Sequence, residues 1–159
     1  MNFIIEYILS VPLSDWLIAI SGFVSVGIFL FITESTQKKF NLPSSLTRKF
    51  IHIVTGLIVC FVALLLKSSL PIQVFAFLYI FIDIWSIKTG MFLSIHPDRR
   101  SLGTIFYAIS VFILASVFWD DLKPLFIITN LIMIVPDAMA AIIGERYAKN
   151  FFIPLCEKK

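Results

Sequence analysis

Long apolar runs separated by short, mostly basic stretches set the pattern of this chain. Five runs stand out: Trp16–Thr33, Phe50–Leu66, Leu70–Ile87, Leu102–Trp119 and Leu125–Gly144. Crossing a bilayer as a helix takes about 20 residues rising ~1.5 Å each, and every run approaches that length. Runs this long lack the two-residue alternation of transmembrane strands. The pattern predicts an all-α, polytopic membrane helical bundle of five transmembrane helices in a single domain. The first and fourth runs carry no charge. The second holds His52 near its start, the third Asp83 near its end and the fifth Asp137.

Composition strengthens this reading. The chain is 59% hydrophobic and only 14% charged, where soluble domains average about 25% charged; its mean hydropathy is +0.97. The net charge of +3 is therefore no sign of nucleic-acid binding. What matters is where the cations sit. Lys38, Lys39, Arg48 and Lys49 fall in the first loop, Lys88, Arg99 and Arg100 in the third, and Arg146, Lys149, Lys158 and Lys159 in the tail. Lys67 and Lys123 alone lie on the other side. The positive-inside rule then places the N-terminus outside and the C-terminus in the cytoplasm. The expected location is a prokaryotic cytoplasmic membrane or an internal membrane such as the endoplasmic reticulum.

The remaining segments add little. Met1–Val11 reads as a short interfacial lead-in rather than a cleavable signal, since residues 1–15 hold no Lys or Arg. Cys60 reads as a small core residue, and its spacing from Cys156 suggests neither a disulfide nor a metal site. Asn41-Leu42-Pro43-Ser44-Ser45 predicts a turn and a cap for the second span. Asp83 suits pairing with Lys88 or with another helix.

Candidate chemistry gathers at the cytoplasmic face. Arg48, His52 and Gly56 recur every four residues on one helical face, with Lys49 beside them. Arg and Lys there suit phosphate oxygens, and His52 could carry a proton or steady a phosphate. The same residues also suit topology anchors and helix packing. Arg99, Arg100 and Ser101, followed by Gly103 and Thr104, could cradle a polyphosphate or merely mark the membrane boundary. In the fifth run, Asp137, Ala140, Ala141, Gly144 and Ala148 share a helical face, an acid followed by small residues. An acid in hydrocarbon is a functional candidate by default, although a helix-packing seam fits the spacing equally well. Pro136 precedes it and predicts a kink or break. Asp137 could hold a divalent cation, act as a general base on an alcohol, or relay protons. The surrounding cations favour phosphate chemistry. No Walker A loop, kinase glycine loop, zinc pattern or Ser-His-Asp logic is present.

Three segments carry a resemblance to the polyprenol kinase superfamily, which includes dolichol kinases, phytol kinases and CTP-dependent diacylglycerol kinases and is related to phosphatidate cytidylyltransferases. They are Arg48-Lys49-Phe50-Ile51-His52 with Gly56, then Arg100-Ser101-Leu102-Gly103-Thr104-Ile105-Phe106-Tyr107, then Asp137-Ala138-Met139-Ala140-Ala141-Ile142-Ile143-Gly144-Glu145-Arg146-Tyr147. The last looks like the family's Asp-Ala-x-Ala-x-x-x-Gly-x-x-x-Gly signature, with Ala148 in place of the second glycine.

The resemblance implies phosphoryl transfer from CTP to the hydroxyl of a membrane lipid, an isoprenoid alcohol or diacylglycerol, with Mg²⁺ or another divalent cation. It implies that Asp137 binds the metal or activates the alcohol, with His52 as its catalytic companion. Gly144 would admit the nucleotide, and Arg48, Lys49, Arg100, Gly103, Thr104 and Lys149 would contact it. Family members continue into a Lys-Ser-x-Glu-Gly-Ser motif and further helices, whereas this sequence stops at Cys156-Glu157-Lys158-Lys159; the expectation is a C-terminally truncated member whose active site is incomplete. The alternatives are a phosphatidate cytidylyltransferase, which transfers the nucleotidyl group instead, and a non-catalytic helical membrane protein.

Overall fold

The computed structural model describes residues 10–41, 44–89 and 103–147, with the side chains at 44–46, 137, 141–142 and 145–147 outside that description. Five helices fill the described residues: α1 (Leu13–Phe40), α2 (Ser44–Leu65), α3 (Leu70–Thr89), α4 (Gly103–Phe118) and α5 (Lys123–Tyr147). Each predicted run becomes one helix. Four of them contain segments long and apolar enough to cross a membrane: Leu13–Phe40, Thr47–Leu65, Leu70–Thr89 and Lys123–Ala140. The fourth run yields a shorter helix of 16 residues, about 24 Å long against a hydrocarbon core of ~30 Å. The chain is an all-helical, multi-pass membrane protein. Its surface agrees, because Phe31, Phe61, Phe106 and Val117 are each more than 60% exposed, an arrangement suited to lipid rather than water.

α1 is longer than its apolar run. It continues through Glu34 and Lys38, which pair at 2.8 Å, and ends where Asn41 turns left-handed at φ 48°. Asn tolerates that region better than most residues, and its N–H returns to the Gln37 carbonyl. Asn41 thus opens the predicted turn, whereas Leu42 and Pro43, and the side chains of Ser44 and Ser45 that the predicted cap needs, lie outside the described residues.

Pro136, expected to kink or break its helix, lies inside a continuous α5, and the break is absent. The buried stripe of this helix runs Phe126, Asn130, Ile134, Ala138, each at most 2% exposed, at a four-residue spacing that keeps all four inward. Pro136 points away from that stripe and is exposed. Only the Ile132 carbonyl loses its amide partner, and packing on both sides of the proline holds the helix together.

The principal helix pairings are α1 with α2, α2 with α5, α5 with α4, α4 with α3, and α3 with α1. Read in that order they close a ring. Small residues permit the approach: Ala19, Ala63, Ala76, Ala108 and Ala115 are all buried, as expected where helix backbones pack closely in lipid. Gly22 and Gly56 are the tightest points. A Cβ on Gly22 would stand 2.4 Å from a Val62 methyl, and one on Gly56 would stand 2.2 Å from Ile134 Cδ1.

One end of the ring is fastened by polar groups. Asp15, 1% exposed, accepts the backbone N–H groups of Lys67 and Ser68, both at 2.8 Å. The Trp119 indole donates to the Lys67 carbonyl at 3.0 Å. Lys123 donates to the Leu66 carbonyl and, at 3.4 Å, to that of Leu64, while standing 5.0 Å over the Trp119 ring. The last carbonyls of α2 and the amides that follow are thus satisfied without water, as a helix end near lipid requires.

Candidate functional site

The ring lines a partly open cavity of about 390 Å³ with walls from all five helices. Along α2 its lining runs from Arg48 through His52, Thr55 and Val59 to Val62, a single helical face about 21 Å long at ~1.5 Å per residue. Ala19 and Phe23 of α1, Phe75 and Tyr79 of α3, and Ala108 and Val111 of α4 complete the walls. α5 contributes Ala138.

The two ends of this cavity differ. Near the starts of α2 and α4 it is polar, lined by Arg48, Lys49, His52, Gly103 and Thr104. Toward Val62 and Ile72 it is hydrocarbon. Five residues singled out from sequence therefore meet at one end of one cavity. Lys49 is buried there, in keeping with a role beyond a surface anchor. Both helices begin at this end, so their first amides lend it positive potential.

Hydrogen bonding sharpens the roles available. Thr104 donates its hydroxyl proton to Asp83 of α3, so Asp83 pairs across helices, the second of its two expected partnerships. A threonine has one hydroxyl proton. With that proton committed, the Thr104 oxygen faces the cavity as an acceptor, suited to a hydroxyl donor and not to a phosphate oxygen. His52 packs edge-on to Tyr107, ring centroids 4.9 Å apart. Tyr107 in turn donates to Asn130 Oδ1 at 3.3 Å, and Asn130 Nδ2 donates to the Phe126 carbonyl at 3.1 Å. This chain of contacts ties α2, α4 and α5 together beside the cavity.

Gly56 takes the helix-packing role, one of the two readings of its face. It admits Ile134 and the Tyr107 hydroxyl, which would lie 2.2 and 3.2 Å from a Cβ there, and so serves helix packing. Cys60 is buried, with its thiol 4.0 Å from the Ile127 carbonyl.

The acidic signature is resolved in part. Ala138 faces the cavity and is 2% exposed, whereas Ala140 is exposed, so the buried stripe does not follow the predicted small-residue face. Among the described residues, a Cβ on Gly144 would meet nothing within 4 Å. The Asp137 side chain lies outside the described residues, as do Arg100 and Lys149 altogether. Among the described residues no group of three or more His, Cys, Asp or Glu side chains could hold a metal ion.

Sequence reasoning passed over Asn130, Tyr79 and Asp15. Asn130 carried a usable signal, being a lone amide within an apolar run, where a polar side chain must find a partner. Asp15 stands just before the first run and carried none.

Comparison with known proteins adds one relation. The chain is 30% identical over 130 residues to the phytol kinase of Synechocystis sp., an alignment covering 79% of this chain and 54% of that enzyme. The chain thus spans about half the length of the curated relative it matches. No family model matches it, and no solved structure is similar to it. The likeness extends the resemblance noted in the sequence to a polyprenol- or phytol-kinase-like protein.

Proposed function

We propose that this chain holds the lipid substrate of a lipid-alcohol kinase, which transfers the terminal phosphoryl group of CTP to an isoprenoid alcohol such as phytol or another polyprenol. The observation that carries the reading is the shape of the cavity: a long apolar slot ending at Arg48, Lys49, His52 and Thr104. That form suits an amphiphile whose tail lies among helices and whose hydroxyl meets cationic side chains. The phytol kinase likeness supplies the reaction class.

In this reading Thr104, its proton held by Asp83, accepts the hydrogen bond of the alcohol and fixes the oxygen. Arg48 and Lys49 draw the phosphates toward it and balance the charge that spreads over them during transfer. His52 stands within the same end and can steady a phosphate or take the proton. A divalent cation, when bound, would supply positive charge to offset that of the phosphates. Mg²⁺ is ordinarily held by one or two carboxylates plus phosphates, and the resemblance assigns that carboxylate to Asp137. Nucleotide contacts by Arg100, Gly103, Gly144 and Lys149 belong to the same proposal.

The test is direct. Protein in vesicles containing phytol, supplied with γ-phosphate-labelled CTP and Mg²⁺, should yield labelled prenyl phosphate and CDP. Arg48→Ala and Lys49→Ala should each lower the rate at least tenfold. Failure to label any prenyl alcohol with any nucleoside triphosphate would sink the proposal. Formation of a CDP-lipid from phosphatidate, with release of diphosphate, would favour the cytidylyltransferase reading instead.

A further inference from the structure

A second cavity, about 370 Å³, lies between α1 and α2 on the outside of the ring. Its rim is exposed: Leu57 and Phe61 are 46% and 63% accessible, and Ser21 and Ser25 are exposed beside them. Those serines do not make it polar. Ser21 donates to the Ile18 carbonyl and Ser25 to the Ser21 carbonyl, both at 2.7 Å, so their hydroxyls are spent within α1. A hydrocarbon chain could lie against this groove without stranding a hydrogen-bonding group.

The floor of the groove is the wall of the central cavity. Gly22, Ile58 and Val62 line both. At Gly22 no side chain separates the two spaces, and the barrier is the contact of its backbone with a Val62 methyl. α1 is held at one end by Asp15 on the Lys67 and Ser68 amides. At the other, α1 ends at Phe40 with Asn41 left-handed. The Gly22–Val62 contact lies between these two ends.

We infer that the α1–α2 groove is a lateral port through which one hydrocarbon chain of a membrane lipid passes from the bilayer into the central cavity. Separation of Gly22 from Val62 opens it. The inference rests on the lipid-alcohol reading only for the headgroup; the port itself is defined by the chain.

A staple across the seam tests it. A Cβ on Gly22 would lie 3.6 Å from Val62 Cβ, within the separation that a disulfide bridges. The variant Gly22→Cys/Val62→Cys, with Cys60→Ala and Cys156→Ala, is placed in vesicles with a long-chain alcohol bearing a mid-chain diazirine. After illumination the labelled residues are mapped by mass spectrometry. Reduced protein should label at Leu57 and Phe61 in the groove and at Phe75 and Val111 in the central cavity. Oxidation should lower central labelling at least tenfold, leave groove labelling in place, and be reversed by dithiothreitol. A short, water-soluble diazirine alcohol should reach the centre in both states, which shows that the stapled fold is intact.

Central labelling by the long chain that survives oxidation overturns the port. So does labelling of neither space in reduced protein. Phosphorylated alcohol is measured in the same vesicles. Its absence alongside staple-sensitive labelling would reject the kinase reading and leave the port standing.

Discussion

Thr104 shows how one proton decides what a side chain can do. Its hydroxyl hydrogen belongs to Asp83, so the residue is an acceptor facing the cavity. Thr104→Val keeps the shape, removes that acceptor and takes one partner from a buried acid. Loss of a hydrogen bond to a charged group costs about 1.5–3 kcal/mol. A loss of stability of that order, seen as a lowered thermal midpoint in detergent, is expected together with at least a tenfold loss of kcat/KM for the alcohol. Thr104→Ser should restore most of both. Equal activity of the Val and wild-type proteins would exclude the acceptor role. Asp15 makes a similar point at the opposite end. Asp15→Ala strands two amides, those of Lys67 and Ser68, and should cost roughly 2–4 kcal/mol. Chemical denaturation in mild detergent would reveal it, and a loss below 0.5 kcal/mol would show that the fastening is idle.

Among elements, the glycines divide by what surrounds them. Gly56→Ala forces a methyl onto Ile134 and should cost about 1–3 kcal/mol through overpacking. The double variant with Ile134→Ala should recover part of that loss, because the two side chains compete for one space. Gly27 meets nothing within 4 Å, so Gly27→Ala should be neutral or stabilising by up to ~1 kcal/mol. A measured ranking with Gly27→Ala the worse of the two would contradict the packing described. The same comparison marks what was legible beforehand. Apolar runs fixed each helix, because burial in lipid leaves a segment no other way to satisfy its backbone. The face each helix turns inward was harder to read. Nearly every position in α4 or α5 is apolar, so periodicity barely separates lipid from core. Whether Pro136 would break its helix was hard to read for a related reason: its consequence depends on whether it faces the stripe of Asn130 and Ile134 or points away from it.

For the whole molecule, charge placement is the property that sequence expresses best. Eleven of the 13 Lys and Arg residues fall on alternate segments, and the described helices alternate in direction to match. A cysteine at Lys67 should react with an impermeant maleimide from outside intact cells, and one at Lys38 only after permeabilisation. The reverse pattern would invert the topology. The cavity, by contrast, was not foreseeable. Arg48, Lys49, His52, Gly103 and Thr104 could be named from sequence, but their meeting at one end of an apolar slot depends on which helices become neighbours. Tyr107 and Asn130 complete that end through contacts between α4 and α5, which no local pattern encodes.

The closed order of neighbours also carries a history. α1 and α2 can pair as soon as both are in the bilayer, α3 can then settle on α1, and α4 on α3. Until α5 arrives, α2 and α4 flank an open trough facing the lipid. α5 is the keystone, since it packs against both α2 and α4 and reinforces their own side-chain contact at His52 and Tyr107. A nascent chain halted before residue 123 would thus expose its cationic end and the slot beside it to the surrounding membrane. The cavity gains its full set of walls only once α5 has joined the other four helices.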